Sequence, residues 1–197
     1  TFEIETPVTI GVYNPVTNVY AVVDTIESAR FASDILIDGD YFYVAADKEL
    51  LKYDINTYEL LYSQELIGIR KLAIADGELY ATRGEYLQTF GSYLNVYSAM
   101  DLSLVNTYDT ISGPKWASEG VVVVGDNVYV AINNGFESGN YKALIGVVDL
   151  PSSSYENEID LGPDGKNPDN LMTDGVNLYT VNNKDFTGAS VSKVALV

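Results

Sequence analysis

Short apolar runs punctuate the chain, each closed by a turn and answered by a second run built on an aliphatic residue and a tyrosine. The first reads Asp34-Ile35-Leu36-Ile37, then Asp38-Gly39-Asp40, then Tyr41-Phe42-Tyr43-Val44. The form returns as Lys71-Leu72-Ala73-Ile74 with Asp76-Gly77 and Leu79-Tyr80-Ala81. It returns as Gly120-Val121-Val122-Val123-Val124 with Gly125-Asp126 and Val128-Tyr129-Val130, and as Asn170-Leu171-Met172 with Asp174-Gly175 and Leu178-Tyr179-Thr180. Asp-Gly supplies the positive φ that tight turns between antiparallel strands require. Each phrase therefore predicts a hairpin. The near-continuous apolarity of the leading runs predicts strands covered on both faces.

A second phrase follows each of the first three hairpins. Leu50-Leu51-Lys52-Tyr53-Asp54 leads to Thr57-Tyr58-Glu59-Leu60-Leu61, Tyr93-Leu94-Asn95-Val96-Tyr97 to Leu102-Ser103-Leu104-Val105, and Leu144-Ile145-Gly146-Val147-Val148 to Tyr155-Glu156-Asn157-Glu158-Ile159. These are two further strands, the outer one more polar. The unit is thus four antiparallel strands in roughly 40 to 50 residues, the period of a β-propeller blade. The recurring tyrosines, Tyr43, Tyr80, Tyr129 and Tyr179, read as packing between blades. The predicted fold is all-β: one β-propeller domain, or a portion of one, over 1–197. Whole blades are placed at about 33–66, 71–111 and 119–161, and partial ones at 6–26 and 169–197. Either the partial units combine to close a four-bladed ring, or the chain is an arc of a six- to eight-bladed one. An arc leaves unpaired sheet edges. The opening Thr1-Phe2-Glu3, with no initiator Met, reads as a processed or excised piece, with the remainder of its own propeller as one partner.

Asn167-Pro168-Asp169-Asn170-Leu171-Met172-Thr173-Asp174-Gly175-Val176-Asn177-Leu178-Tyr179-Thr180-Val181-Asn182-Asn183 resembles the YVTN-type bacterial β-propeller repeat, in which an Asp-Gly turn precedes Tyr-Val-x-Asn. Val128-Tyr129-Val130-Ala131-Ile132-Asn133-Asn134 is similar, whereas Tyr43-Val44-Ala45-Ala46-Asp47 and Tyr80-Ala81-Thr82-Arg83 depart from the pattern. The resemblance implies an extracytoplasmic protein, secreted or on the bacterial cell surface, and no fixed chemistry, since propellers host many functions.

Composition narrows the chemistry. The 197 residues include 28 Asp+Glu against 11 Lys+Arg, a net charge of −17. That balance argues against nucleic acid as partner, because phosphate binding needs clustered cations. There is no His and no Cys, which removes triads, thiolate nucleophiles and imidazole or thiolate metal sites. No apolar run approaches the roughly 20 residues of a membrane-spanning helix. No phosphate-cradling glycine loop is present, and no cofactor is implied. Asp164, Asn167 and Asp169 offer oxygens for Ca²⁺ but match no EF-hand spacing, so no metal is expected.

The blade pattern puts the long loops joining second to third strands, 83–93, 133–142 and 182–190, on one face with the inter-blade loops 113–116 and 162–168. Arg83, Lys115, Lys166 and Lys184, four of the eleven cations, fall there. Insertions on one face of a repeat array mark its binding face. The candidate ligand- or partner-binding residues are Arg83, Tyr86, Phe90, Lys115, Trp116, Asn133, Asn134, Phe136, Tyr141, Asn182, Asn183 and Phe186. Each has a structural alternative: the Asn pairs cap strand ends, Trp116 packs under a loop, and the aromatic loops fold back on the ring. No catalytic residue is assigned. Asp47, Glu49, Glu85, Glu119, Glu137 and Asp185 are available, but nothing in the sequence separates them from surface acids.

Three functions remain open. The first is a non-catalytic module holding a partner protein on the loop-rich face. The second is surface capture of a small polar organic ligand, a nutrient for delivery to an outer-membrane transporter. The third is a carboxylate-dependent glycan-acting enzyme.

Overall fold

A computed structural model describes residues 6–196; the Thr1-Phe2-Glu3 opening and Val197 lie outside the described residues. The chain divides into two compact units, Thr1–Ile69 and Arg70–Val197. The first holds a two-stranded sheet, β1 (Val8–Asn14) and β2 (Val19–Ile26), and a four-stranded one, β3 (Ala32–Asp38), β4 (Tyr41–Ala46), β5 (Glu49–Asp54) and β6 (Leu60–Glu65). The second begins within β7 (Ile69–Ala75), which forms a sheet with β8 (Glu78–Arg83), β9 (Ser92–Ser98) and β10 (Leu104–Asp109). It continues with β11 (Ser118–Val124), β12 (Asn127–Ile132), β13 (Leu144–Asp149) and β14 (Ser154–Asp160). It ends in three strands, β15 (Pro168–Thr173), β16 (Asn177–Asn182) and β17 (Ser190–Ala195). Strands pair in chain order within each sheet. The one helical element among the described residues is a 3₁₀ turn at Pro163–Gly165.

The hairpins form as the turn chemistry requires. Ile37 pairs with Phe42 and Asp38 with Tyr41, which leaves a two-residue loop with Gly39 at φ 57°. Carboxylates finish other turns. Asp54 accepts the N–H groups of Asn56 and Thr57 at 2.8 Å each, and Asp174 those of Val176 (2.9 Å) and Asn177 (2.7 Å). Hydrogen bonds from Thr57 and Asn56 hold Asp54 below the usual carboxylate range, and those from Asn177, Val176 and Tyr179 do the same to Asp174. A depressed folded pKa stabilises the fold above the unfolded value of about 3.9 and is lost as pH falls through the folded one. Thermal scans from pH 5 to 2 are therefore expected to show a falling Tm that begins below about pH 4. A constant Tm would show that these turn bonds carry no stability.

In the first unit, Phe42 stacks on its cross-strand partner Tyr53 with ring centroids 4.8 Å apart and 5° between planes. The Tyr53 hydroxyl donates to Asp24 at 2.8 Å, tying β5 to β2. Lys52 is buried on the same strand with its ammonium 3.8 Å from the Tyr41 ring centroid. In the second unit one core joins the first two sheets through Tyr80, Leu94, Val96, Val121, Val128 and Val130. Another joins the last two through Tyr129, Ile145, Val147, Leu171 and Leu178.

Two expectations need correction. Tyr43, Tyr80 and Tyr129 are buried, but Tyr179 is only partly buried, because no sheet follows the β15–β17 sheet within its own unit. The leading run of β3 is not covered on both faces: Ile35 and Ile37 are 59% and 63% exposed.

Candidate functional site

The loop-rich end of the second unit carries two clefts that share a wall. One, of about 420 Å³, is lined by Glu85, Leu87, Gln88, Lys115, Trp116, Asn134, Phe136 and Glu137. The next, of about 480 Å³, is bounded by Ser138, Gly139, Tyr141, Pro163, Lys166, Lys184 and Asp185. The β12–β13 loop faces the first cleft with residues 134–137 and the second with residues 138–141.

That loop is tied down by its own polar groups. The N–H groups of Asn133 and Asn134 both donate to the Ala117 carbonyl, at 3.1 and 3.0 Å, and the Asn133 side-chain oxygen accepts the Gly135 N–H at 2.9 Å. The side chains of Asn134 and Asn140 each donate to Glu137 at 2.8 Å. These two bonds keep the Glu137 carboxyl below its ordinary pKa, so it enters the cleft ionised. Gly84 makes room for Phe136, since a Cβ there would lie 2.8 Å from the ring.

The aromatic walls are braced by the chain's own cations. The Arg83 guanidinium lies 4.0 Å from the Phe90 centroid, the Lys142 ammonium 4.4 Å from Trp116 and the Arg70 guanidinium 5.3 Å from Phe136. Phe90 also meets Tyr93 edge-on at 5.9 Å. Arg70 is held in turn by Glu119, Nε to Oε1 at 2.8 Å. Such stacking contributes about 0.5–1 kcal/mol at exposed sites and more when desolvated. It favours the ring orientations seen here.

The predicted site residues therefore separate into three groups. Lys115, Trp116, Asn134 and Phe136 line the first cleft, where Tyr93 joins them, and Tyr141 lines the second. Tyr86 and Phe186 project outward, 63% and 67% exposed, with Phe186 edge-on to Tyr141 at 5.8 Å. Arg83, Phe90, Asn133, Asn182 and Asn183 serve the framework: Asn182 is buried and donates to Ser190 (3.1 Å) and Ser192 (2.9 Å), and Asn183 donates to Asp169 at 3.4 Å. The calcium alternative meets a direct obstacle, because Asp164 already holds the Lys184 ammonium at 2.9 Å. Among the described residues no group of three or more acids could hold a metal ion.

Sequence reasoning did not single out Leu87, 86% exposed at the cleft rim, or the Arg70–Glu119 pair beneath Phe136. The signal for the pair was available. Arg70 and Glu119 occupy the same position relative to their hairpin turns, where charges of opposite sign, Arg70 with Lys71 and Glu119 alone, precede apolar residues.

No known protein family matches the sequence, and no curated protein does. Solved structures do match. Hydrazine synthase of Kuenenia stuttgartiensis aligns with a TM-score of 0.67 at 15% identity over 85% of this chain and 47% of its own. BamB of Moraxella catarrhalis gives 0.61 at 14% over 89% and 50%, and the β-propeller domain of Cps50 (Swd1) from Myceliophteria thermophila gives 0.65 at 14% over 91% and 59%. The chain spans about half the length of these structures. Likeness at such low identity carries the fold alone: the four-stranded antiparallel sheets are the blades of a β-propeller.

Proposed function

We propose that the protein is a non-catalytic, extracytoplasmic binding module of YVTN type that holds a partner protein on the loop-rich end of its second unit. The observation that carries this is the pairing of aromatic-walled clefts with exposed apolar anchors at their rim: Tyr86, Leu87 and Phe186. Anchors beside pre-formed pockets are the usual core of a protein interface. The net charge of −17 favours a basic partner and speeds its approach, while Lys115, Lys166 and Lys184 in the clefts offer partners to its acidic groups.

The test compares wild type with Tyr86→Ser/Leu87→Ser in retention of proteins from a bacterial envelope extract. Both side chains project into solvent, so stability should change by less than about 0.5 kcal/mol. A partner retained by wild type should be lost at least tenfold in the variant. Equal retention of every protein would sink the reading.

The cleft volumes favour a second reading, capture of a small polar molecule for an outer-membrane transporter, since both lie within the range typical of ligand pockets. Thermal-shift screening against vitamins, siderophores and oligosaccharides separates the two. A true ligand at a hundredfold excess over Kd stabilises by about 2.7 kcal/mol. Turnover of any glycan in a polysaccharide panel would instead support the carboxylate-dependent enzyme.

A further inference from the structure

The second cleft displays the kind of group that suits it. Lys184, one of its lining residues, holds the Asp164 carboxylate, Nζ to Oδ1 at 2.9 Å. Asp164 belongs to the 3₁₀ turn Pro163–Gly165 and does not itself line the cleft. Its side chain is 87% exposed, against 31% for Lys184. An ion pair so open to solvent contributes little and is readily exchanged for another. The Lys184 ammonium nonetheless keeps the Asp164 carboxyl below the usual carboxylate range.

Two lysines reach this cleft for a backbone reason. The Lys184 N–H donates to the Lys166 carbonyl at 3.0 Å, and the Asn183 N–H to the Asn167 carbonyl at 2.9 Å. The β16–β17 loop is thereby tied alongside the segment that enters β15. Lys166 is exposed, and its ammonium has no hydrogen bond or ion pair among the described residues. From the β12–β13 loop, Ser138 and Tyr141 add hydroxyl groups to the lining. Asp185 also lines the cleft, but its Oδ1 already accepts the Thr187 N–H at 3.1 Å and the Thr187 hydroxyl at 2.6 Å. Donors therefore dominate what the cleft offers a ligand.

We propose, resting on the partner-protein reading above, that this cleft recognises a carboxylate of the partner, an Asp or Glu side chain that bridges Lys166 and Lys184 and displaces Asp164. Asp164 is then a competitor built into the chain, occupying one of the two lysines until the partner arrives. The net charge of −17 repels a polyanionic segment. The docked segment thus carries a single acid among neutral or basic residues. Removal of a competitor strengthens binding, whereas removal of a group that merely supports the loop weakens it.

The experiment pans a random-peptide display library on the full chain at low salt, where charge contacts are least screened. Wild type is expected to enrich peptides with one Asp or Glu at a recurring position. Changing that residue to Asn or Gln should weaken binding about fivefold. Lys166→Gln/Lys184→Gln should cost the same factor, and both changes together no more, which marks a direct contact. Asp164→Asn should tighten binding about twofold, a gain that a misfolded variant cannot produce. Lys193→Gln on β17, outside the clefts, should change nothing. Peptides that bind wild type and Lys166→Gln/Lys184→Gln alike would overturn the carboxylate assignment and leave the partner-protein reading standing. Weaker binding by Asp164→Asn would overturn it in the same way. Enrichment of no peptide by wild type would overturn both.

Discussion

Gly120→Ala is expected to destabilise the Arg70–Val197 unit by about 3 kcal/mol, near the upper end for overpacking. A Cβ at this position would lie 2.5 Å from the Asp169 carbonyl oxygen and 2.5 Å from the Leu171 nitrogen. Both are backbone atoms, so no rotamer change relieves the contact. β11 and β15 would have to separate, opening the core that Leu171 shares with Tyr129 and Ile145. Gly146→Ala is the control. Its nearest contact, at 2.6 Å, is the hydroxyl end of the Tyr155 side chain, which can swing into solvent. Chemical denaturation should rank Gly120→Ala well above Gly146→Ala. A cost below about 1 kcal/mol for Gly120→Ala would mean that the two strands are not in close contact.

Arg70→Met is expected to cost about 4 kcal/mol, because it strands a buried carboxylate. The Glu119 side chain is 5% exposed, its Oε1 depends on Arg70, and its Oε2 has no hydrogen-bond partner. Burial pushes the Glu119 carboxyl above its ordinary range, and the Arg70 charge pulls against it without winning. A raised folded pKa contributes stability that is complete below the unfolded value of about 4.3 and lost as pH rises through the folded one. Removing Arg70 deepens that loss. The variant should therefore recover stability on mild acidification, and Arg70→Met/Glu119→Gln should recover much of it at neutral pH with a flatter profile. Denaturation at pH 5 and pH 8 reads the difference. Equal stability of Arg70→Met at both pH values would exclude a buried charge as the cause.

What the sequence reveals and what it hides follow the same physics. Strand order, turn position and the burial of Tyr43, Tyr80 and Tyr129 depend on local chemistry: alternation, apolar runs and Asp-Gly turns. They could be read directly. Exposure of Ile35, Ile37 and Tyr179 depends on whether another sheet packs against them, which no local pattern records. At the clefts, loop positions were legible from their length and aromatic content. The bracing of Phe90, Trp116 and Phe136 by Arg83, Lys142 and Arg70 was not, since Arg70 and Phe136 stand far apart in the chain. The Asn133-Asn134 and Asn182-Asn183 pairs illustrate the ambiguity. Their amides can serve a ligand or the loop itself, and only the folded chain shows that Asn133 and Asn134 bond to Ala117, Asn134 to Glu137 and Asn182 to Ser192.

The tight turns opposite the clefts have a practical consequence. Gly77, Gly125 and Gly175 of the second unit each face open space, with nothing within 4 Å of the position a Cβ would take. The chain also contains no Cys. One thiol introduced at exposed Asp126, beside Gly125, would be chemically unique and remote from the aromatic loops. A fluorophore or a sensor surface attached there would leave the opposite end of the sheets facing solution.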